Sequence, residues 1–186
     1  MDGLTFTLQG AYVTDIKETK DYRKECWYDE VNYHGPDQLT ETIVRWNRYT
    51  LDALLNYSKC FNEDHNLKAM AGYKIEKYDW RELKAFRKDF PSNSVTDLNG
   101  GDSSTQTNNG YSRELGLLSY FGRINYDYKG KYLLEADFRA DASSRFAKDY
   151  RWGYFPSFSA GWRISEEGFM EGTNDWLQSL KIRGSW

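Results

Sequence analysis

Apolar and polar side chains alternate with a period of two over residues 120–164, and turn residues divide this stretch into three predicted antiparallel strands. In the middle strand, Leu134 and Phe138 fall on one side, and Glu135 and Asp137 fall on the other, because successive side chains of a strand point to opposite faces. Such a row of charges cannot pack in a dry protein core. It suits a sheet whose apolar face meets lipid and whose polar face meets water, which is the pattern of a transmembrane β-barrel wall.

The same alternation predicts further strands on both sides of this stretch. They cover residues 3–13, 48–59, 67–75 and 180–186, whereas the first strand of the stretch itself covers residues 118–126. The chain is therefore expected to stop inside a strand. Tyr49 and Tyr57 stand roughly 26 Å apart along the second of these strands, a distance that a barrel tilt reduces to about 20 Å. Both rings are then expected near the two lipid headgroup layers.

The connections between these strands alternate in predicted length. Residues 14–45, 79–114 and 142–151 read as long loops, with a short helix near 81–88; residues 60–66 and 128–131 read as short turns. Residues 165–179 are intermediate, with one helical turn behind a Ser165 cap. Pro156 lacks a backbone N–H, so it is expected at a strand start or a bulge. Long loops on one side and short turns on the other are typical of bacterial outer-membrane barrels, whose long loops face outward.

The predicted fold class is therefore all-β: an antiparallel transmembrane β-barrel wall of about seven strands, which is an incomplete barrel. All 186 residues are assigned to part of one barrel domain. Side chains expected to face the lumen are Arg123, Glu135, Asp137, Arg139 and Arg163. Side chains expected to face lipid are Tyr49, Leu51, Leu55, Tyr57, Leu134, Phe138, Phe158 and Trp162.

Composition limits the alternatives. With 28 acidic and 25 basic residues, the chain lacks the electrostatic footprint of a nucleic-acid-binding protein. Mean hydropathy is negative, but a barrel strand is half polar and escapes any averaged score. The sequence holds no run of 18 apolar residues, the length that a transmembrane helix needs. Residues 1–4 do not resemble an export signal, so we expect the natural protein to begin further upstream.

The sequence predicts no catalytic, metal or cofactor site. Cys26 and Cys60 lack zinc spacing and are expected at opposite rims of the wall, too far apart for a disulfide. His34 and His65 fall in connections on opposite sides. Residues 97–102 have a faint likeness to a calcium loop but lack the terminal glutamate, so a plain turn is favoured. The lumen-side carboxylates are interpreted as wall electrostatics, either in contact with a plug or simply solvated, rather than as a general acid and base.

Several segments resemble the barrel region of SusC/RagA-type TonB-linked outer-membrane proteins. They are residues 119–134 (SYFGRINYDYKGKYLL), 143–146 (SSRF), 151–157 (RWGYFPS) and 159–167 (SAGWRISEE). The resemblance is specific over residues 119–183, whereas residues 1–110 resemble the preceding hairpins in layout. It implies a plugged barrel of about 22 strands in the outer membrane that imports oligosaccharides or peptides, with a SusD-like surface lipoprotein as its lid and TonB as its driver. Relative to that family, the plug domain and most strands are missing.

Two further interpretations stay open at this stage. A soluble all-β carbohydrate-binding module would also show short alternating strands and many aromatics, but it would hide its apolar face against a second sheet. Some aromatic side chains predicted in long loops have two alternative roles, stacking on sugar rings or packing within the loops. These are Trp27, Tyr28, Tyr33, Phe86, Phe90 and Tyr111.

Overall fold

The computed structural model of the chain describes residues 3–173 and 175–186, which form an all-β structure. The strands are β1 (Leu4–Arg23), β2 (Cys26–Trp27), β3 (Tyr33–His34), β4 (Gln38–Phe61), β5 (His65–Lys88), β6 (Thr107–Tyr128), β7 (Tyr132–Ser143), β8 (Trp152–Arg163) and β9 (Lys181–Ser185). Seven of them form one sheet in the order β1-β4-β5-β6-β7-β8-β9, and β2 pairs with β3 alone. The predicted antiparallel sheet of about seven strands is confirmed, including a final strand at β9.

Two tight turns set the register of the sheet. Residues 62–64 join β4 to β5, and residues 129–131 join β6 to β7. Lys129 and Gly130 both have positive φ, at 57° and 68°, a conformation that glycine adopts at little cost. The Asp127 carboxylate accepts a hydrogen bond of 2.6 Å from the Gly130 N–H and so closes the second turn. Both short turns were predicted from the sequence.

Four strands, β1, β4, β5 and β6, are much longer than predicted. β1 continues to Arg23, β4 begins at Gln38, β5 continues to Lys88 and β6 begins at Thr107. The long loops therefore shrink to residues 24–37 and 89–106, and the helix predicted near residues 81–88 is wrong. In the extensions of β1, β5 and β6 both faces carry charges, and in that of β4 each face mixes polar and apolar side chains, so the apolar alternation fades. Backbone pairing with a neighbouring strand defines these extensions instead.

The expectation that Pro156 lies at a strand start or a bulge is also wrong. Pro156 lies inside β8, opposite Phe138, and the register from Tyr132↔Trp162 to Ala142↔Trp152 has no bulge. The Ser143 N–H donates to the Arg151 carbonyl, and bonded and non-bonded pairs alternate from there. Pro156 consequently stands at a non-bonded pair of the β7–β8 ladder and costs it no hydrogen bond.

The connection after β8 contains two 3₁₀ segments, Ile164–Glu166 and Gly168–Thr173. Arg163 caps the first of them, without a side-chain hydrogen bond. Ser165 therefore lies within the turn, and its predicted role as the cap is wrong. No helix among the described residues is long and apolar enough to cross a membrane.

The chain divides into two compact units, and each has very little interior. The first contains the described residues up to Ala11, Thr50–Glu76 and Gly116–Trp186; the second contains Tyr12–Tyr49 and Lys77–Leu115. Among the described apolar residues, Ala140 is buried in the first unit and Leu39 in the second. A soluble domain hides most of its large apolar side chains, whereas this sheet leaves many of them exposed. The two faces of the sheet are therefore the candidate functional surfaces.

Candidate functional site

A network of ion pairs covers one face of the sheet in the first unit. Arg123 of β6 lies opposite Asp137 of β7 in the register and donates to the Asp137 carboxylate. Its Nε also lies 4.0 Å from Oε2 of Glu135. One guanidinium is therefore shared by two carboxylates on the neighbouring strand. These ion pairs include three of the five side chains predicted to face the lumen.

A second group of ion pairs lies on β4 and β5. In β5, Lys74 lies 2.9 Å from Glu76 and 4.0 Å from Asp52 of β4. Between the two groups, the Phe121 ring rests on Gly72, where any Cβ atom would collide with it. The backbone of Gly72 thus makes room for an aromatic ring on an otherwise charged surface. This surface is called the charged face below.

The remaining predicted lumen residues take separate positions on the charged face. Nε of Arg139 lies 2.8 Å from the Asp141 carboxylate, and its guanidinium stands 5.9 Å from the Phe121 ring centroid. Arg163 lies at the end of β8, opposite Lys181, and among the described residues it forms no ion pair. The sequence therefore named residues of one face, but the structure divides them into a triad, a pair and a single exposed arginine.

The opposite surface, called the apolar face, is exposed although it consists of large apolar side chains. Leu134, Phe138 and Phe158 are exposed by 54%, 50% and 55%. Aromatic rings stack at the two ends of β8: Trp162 on Tyr132 with centroids 6.4 Å apart, and Trp152 on Tyr120 at 5.9 Å. The second sheet in the described chain is the β2–β3 pair, with two residues in each strand. A sheet that small cannot form the second layer that a soluble sandwich requires.

The other predicted lipid-side residues come from β4. Leu51, Leu55 and Tyr57 alternate with Asp52, which is on the charged face, so they belong to the apolar face of the first unit. Tyr49 belongs to the second unit, where its ring lies 5.0 Å from that of Tyr12. Whether these faces meet lipid and lumen stays a prediction.

Glu167, for which the sequence pattern predicts no role, organises the rim of the first unit. Its carboxylate accepts hydrogen bonds from Tyr132 Oη at 2.7 Å, Trp162 Nε1 at 3.1 Å and Lys131 Nζ at 3.2 Å. These bonds, led by that from Tyr132, hold the pKa of Glu167 below its ordinary value. The acid thereby fastens the connection after β8 to two aromatic residues of the apolar face.

In the second unit, Asp37 fastens the connection between β5 and β6. It is buried, and its carboxylate accepts hydrogen bonds from Tyr22 Oη at 2.7 Å and from the Phe90 N–H at 2.9 Å. Residues 97–102, the faint calcium-loop likeness, contain a 3₁₀ turn at Leu98–Gly100. Here the Asp102 carboxylate accepts bonds from the backbone and hydroxyl of Ser104, which lower its pKa.

The predicted loop aromatics are only partly in loops. Trp27 and Tyr33 lie in β2 and β3 with ring centroids 4.6 Å apart, whereas Phe86 and Tyr111 belong to β5 and β6. Phe90 is half-buried with its ring edge-on to Tyr22 at 5.7 Å. Trp80, which lies in a segment expected to be a loop, contacts Tyr111 at 4.7 Å. Pairing Trp80 with Tyr111 from the sequence would require both segments to be predicted as strands.

Cys26 and Cys60 are both free thiols, as predicted. Nδ1 of His65 lies 2.6 Å from Tyr126 Oη, and its ring lies 4.8 Å from that of Tyr128, so it belongs to an aromatic group at the turn. Within residues 3–173 and 175–186, no three His, Cys, Asp or Glu side chains are placed to hold a metal ion.

Comparison with known proteins relates the chain to large receptors. Over 156 residues it is 38% identical to TonB-dependent receptor P39 of Formosa agariphila, covering 78% of this chain and 14% of that protein. Over 105 residues it is 42% identical to TonB-dependent receptor SusC of Bacteroides thetaiotaomicron, covering 52% of this chain and 10% of SusC. No family model matches the chain. The chain thus spans a small part of the length of these relatives.

Solved structures agree with the sequence relatives. The whole chain superimposes on 20% of a chain in the closed-closed state of the RagAB peptide importer, with a TM-score of 0.88 and 25% identity. A structure of the RagAB peptide transporter gives the same values. The fold of the sheet described above therefore recurs within a much larger chain.

Proposed function

Because this chain belongs to the SusC/RagA-type TonB-dependent receptors and corresponds to a segment of their barrel, we propose that it forms part of the wall of an outer-membrane nutrient importer. Its role is transport and binding without bond chemistry. In the complete receptor the apolar face meets lipid and the charged face lines the lumen, within a single barrel domain.

One observation carries this proposal: the sheet exposes its apolar face and neutralises its charged face. Leaving apolar surface in water costs about 25 cal/mol for each Å², so a row of half-exposed Leu and Phe side chains is unfavourable in an aqueous environment. In lipid the same row is stable. The Arg123–Asp137–Glu135 triad has the opposite requirement, because its ions need either water or each other. A membrane wall around a watery lumen satisfies both faces.

The proposed cargo is an oligosaccharide or a peptide. SusC and the Formosa protein are named as TonB-dependent receptors, and RagAB is described as a peptide importer. By analogy we expect the complete receptor to work with a SusD-like surface lipoprotein as its lid and with TonB as its source of energy. These partners and the cargo belong to the whole protein, and this chain supplies part of its barrel wall.

Site-directed spin labelling of the receptor in proteoliposomes tests the orientation. Cys26 and Cys60 are first replaced by serine, and single labels are then placed at positions 134 and 138 of the apolar face or 135 and 137 of the charged face. Labels at 134 and 138 should be relaxed by lipid-soluble oxygen, and labels at 135 and 137 by a water-soluble nickel chelate. The reverse accessibility at 134 and 138 would refute the assignment of the faces.

A further inference from the structure

Two aromatic rings and one guanidinium form a compact cluster in the second unit. The rings of Trp80 in β5 and Tyr111 in β6 have centroids 4.7 Å apart and planes inclined by 54°. The Arg113 guanidinium carbon lies 5.7 Å from the Trp80 centroid and 5.3 Å from that of Tyr111. These distances are within cation–π range, so both rings hold the same cation.

Charge pairing on the other side of the same strands leaves this cation without an acidic partner. Lys77 pairs with Asp79 and with Glu114, at 3.3 Å in each case. Side chains alternate along a strand, so these three share one side and the cluster occupies the other. In the part of the chain that the structure describes, Arg113 forms no ion pair with Asp or Glu, although it is exposed.

The side of the sheet follows from the alternation of side chains along β5 and β6. Trp80 lies four residues after Glu76 in β5, and Arg113 lies ten residues before Arg123 in β6, so both share a side with residues of the charged face. Under the proposed function, this is the side that imported ligand passes.

The chemistry of the cluster points to one type of ligand group. A guanidinium carries its N–H donors in its own plane and matches the two oxygens of a carboxylate. Contact with two rings restricts the guanidinium before a ligand arrives, which lowers the ordering cost of binding. Trp80 and Tyr111 also offer apolar surface beside the charge, and Tyr111 is 44% exposed.

We propose that Trp80, Tyr111 and Arg113 form a subsite that binds a carboxylate of the imported ligand. The carboxylate belongs either to a uronic acid in an oligosaccharide or to the free acid of a peptide. This inference rests on the proposed function, since it names a chemical preference of the same import path.

Calorimetric titration of the complete receptor in detergent tests the subsite. The probes are tri-galacturonic acid with its methyl ester, and a tripeptide with its C-terminal amide, so each pair differs in the carboxylate alone. The variants are Arg113→Gln, Arg113→Lys and Lys84→Gln. Lys84→Gln removes the same charge from the exposed surface of β5 and serves as the matched control.

Arg113→Gln should weaken binding of at least one acidic probe about tenfold or more, the usual consequence of losing a charge-assisted hydrogen-bonded pair. Its uncharged counterpart should change less than about twofold, and Lys84→Gln should bind like the unaltered receptor. Arg113→Lys should recover little, because lysine has no planar fork. The probe that responds identifies the source of the carboxylate.

Three outcomes overturn the subsite: neither acidic probe binds better than its counterpart, Arg113→Gln weakens charged and uncharged probes equally, or Lys84→Gln has the same effect as Arg113→Gln. An uptake assay of the complete receptor in cells separates this failure from failure of the proposed function. If the receptor still imports ligand while binding ignores Arg113, the subsite alone is wrong; if it imports nothing, the importer role is wrong.

Discussion

At the scale of single residues, Phe138 and Asp137 are adjacent in β7 but lie on opposite faces of the sheet. Phe138 is half exposed on the apolar face, with its ring 6.2 Å from that of Tyr154. Phe138→Arg in the complete receptor should lower the free energy of unfolding by about 2–4 kcal/mol if the site is near the bilayer midplane. Urea unfolding of the receptor in lipid vesicles measures this loss.

Ser157→Arg is the control for that substitution. Ser157 lies opposite Asp137 on the charged face, where a new arginine meets a carboxylate and water. Its effect should stay below about 1 kcal/mol, the usual size of an exposed ion pair. Equal losses for the two substitutions would contradict a lipid-facing Phe138.

Glu167 makes the rim sensitive to acid. Hydrogen bonds from Tyr132 and Trp162 lower its folded pKa, so its stabilising effect is complete above the unfolded value, about 4.3, and is lost as the pH falls through the folded value. In receptor labelled with 5-fluorotryptophan, the fluorine resonance of Trp162, assigned with Trp162→Phe, should shift as the pH is lowered below the ordinary glutamate pKa of about 4.3. Glu167→Gln should remove this shift. An unchanged acid shift in that variant would rule out Glu167 as the titrating group.

At the scale of strands, the sequence predicts an element well where one face is apolar and poorly where neither is. The strand predicted across residues 132–141 matches β7, because Leu134 and Phe138 alternate with charges. Beyond Val13, the second half of β1 is charged on both sides, so its hydrogen-bonded partner β4 and not its own pattern defines it. The segment 81–88 has strong helix formers, yet it pairs as a strand; tertiary pairing outweighs propensity.

The same limit applies to the site. The sequence assigns Arg123, Glu135 and Asp137 to one face, because side chains alternate between the two faces in any strand. It did not identify Glu167, since that contact depends on how the connection after β8 folds back to Tyr132 and Trp162. The sequence also does not predict the contact between Trp80 and Tyr111, because both residues fall in a segment that is predicted to be one loop.

Gly72 tests how neighbouring strands fit together. A Cβ atom at this position would overlap the Phe121 ring, whereas a Cβ at Gly10 in β1 meets nothing within 4 Å. Gly72→Ala should therefore cost about 1–3 kcal/mol of unfolding free energy through overpacking, and Gly10→Ala should be neutral or slightly stabilising. Urea midpoints of the refolded receptor in micelles give both values.

A double-mutant cycle identifies the cause of the Gly72 effect. Phe121→Ala removes the ring that the new methyl group would meet, so Gly72→Ala should cost much less in that background. Should the cost be the same with and without the Phe121 ring, the close approach of glycine and ring would not explain it.

At the scale of the whole molecule, the faces and the edges of the sheet impose different needs. Under the proposed function the apolar face meets lipid and the charged face meets water, whereas the edges require partner strands. In the described structure, β1 and β9 each pair with one strand of the large sheet. Lipid cannot satisfy the N–H and C=O groups on their other sides, so these two edges determine how the polypeptide behaves by itself.

The 186-residue polypeptide expressed alone should therefore neither dissolve nor transport. Open edges and an exposed apolar face favour aggregation in water, and a sheet of seven strands with two edges cannot seal a pore. We expect the polypeptide to sediment without detergent and to give no stable single-channel conductance in a planar bilayer, whereas the complete receptor should bind ligand. A soluble monomer with a cooperative melting transition would instead indicate a hidden apolar face and a self-contained domain. Stable conductance steps would show that the chain closes a barrel, as a single copy or as an oligomer, and cross-linking before reconstitution distinguishes these two cases.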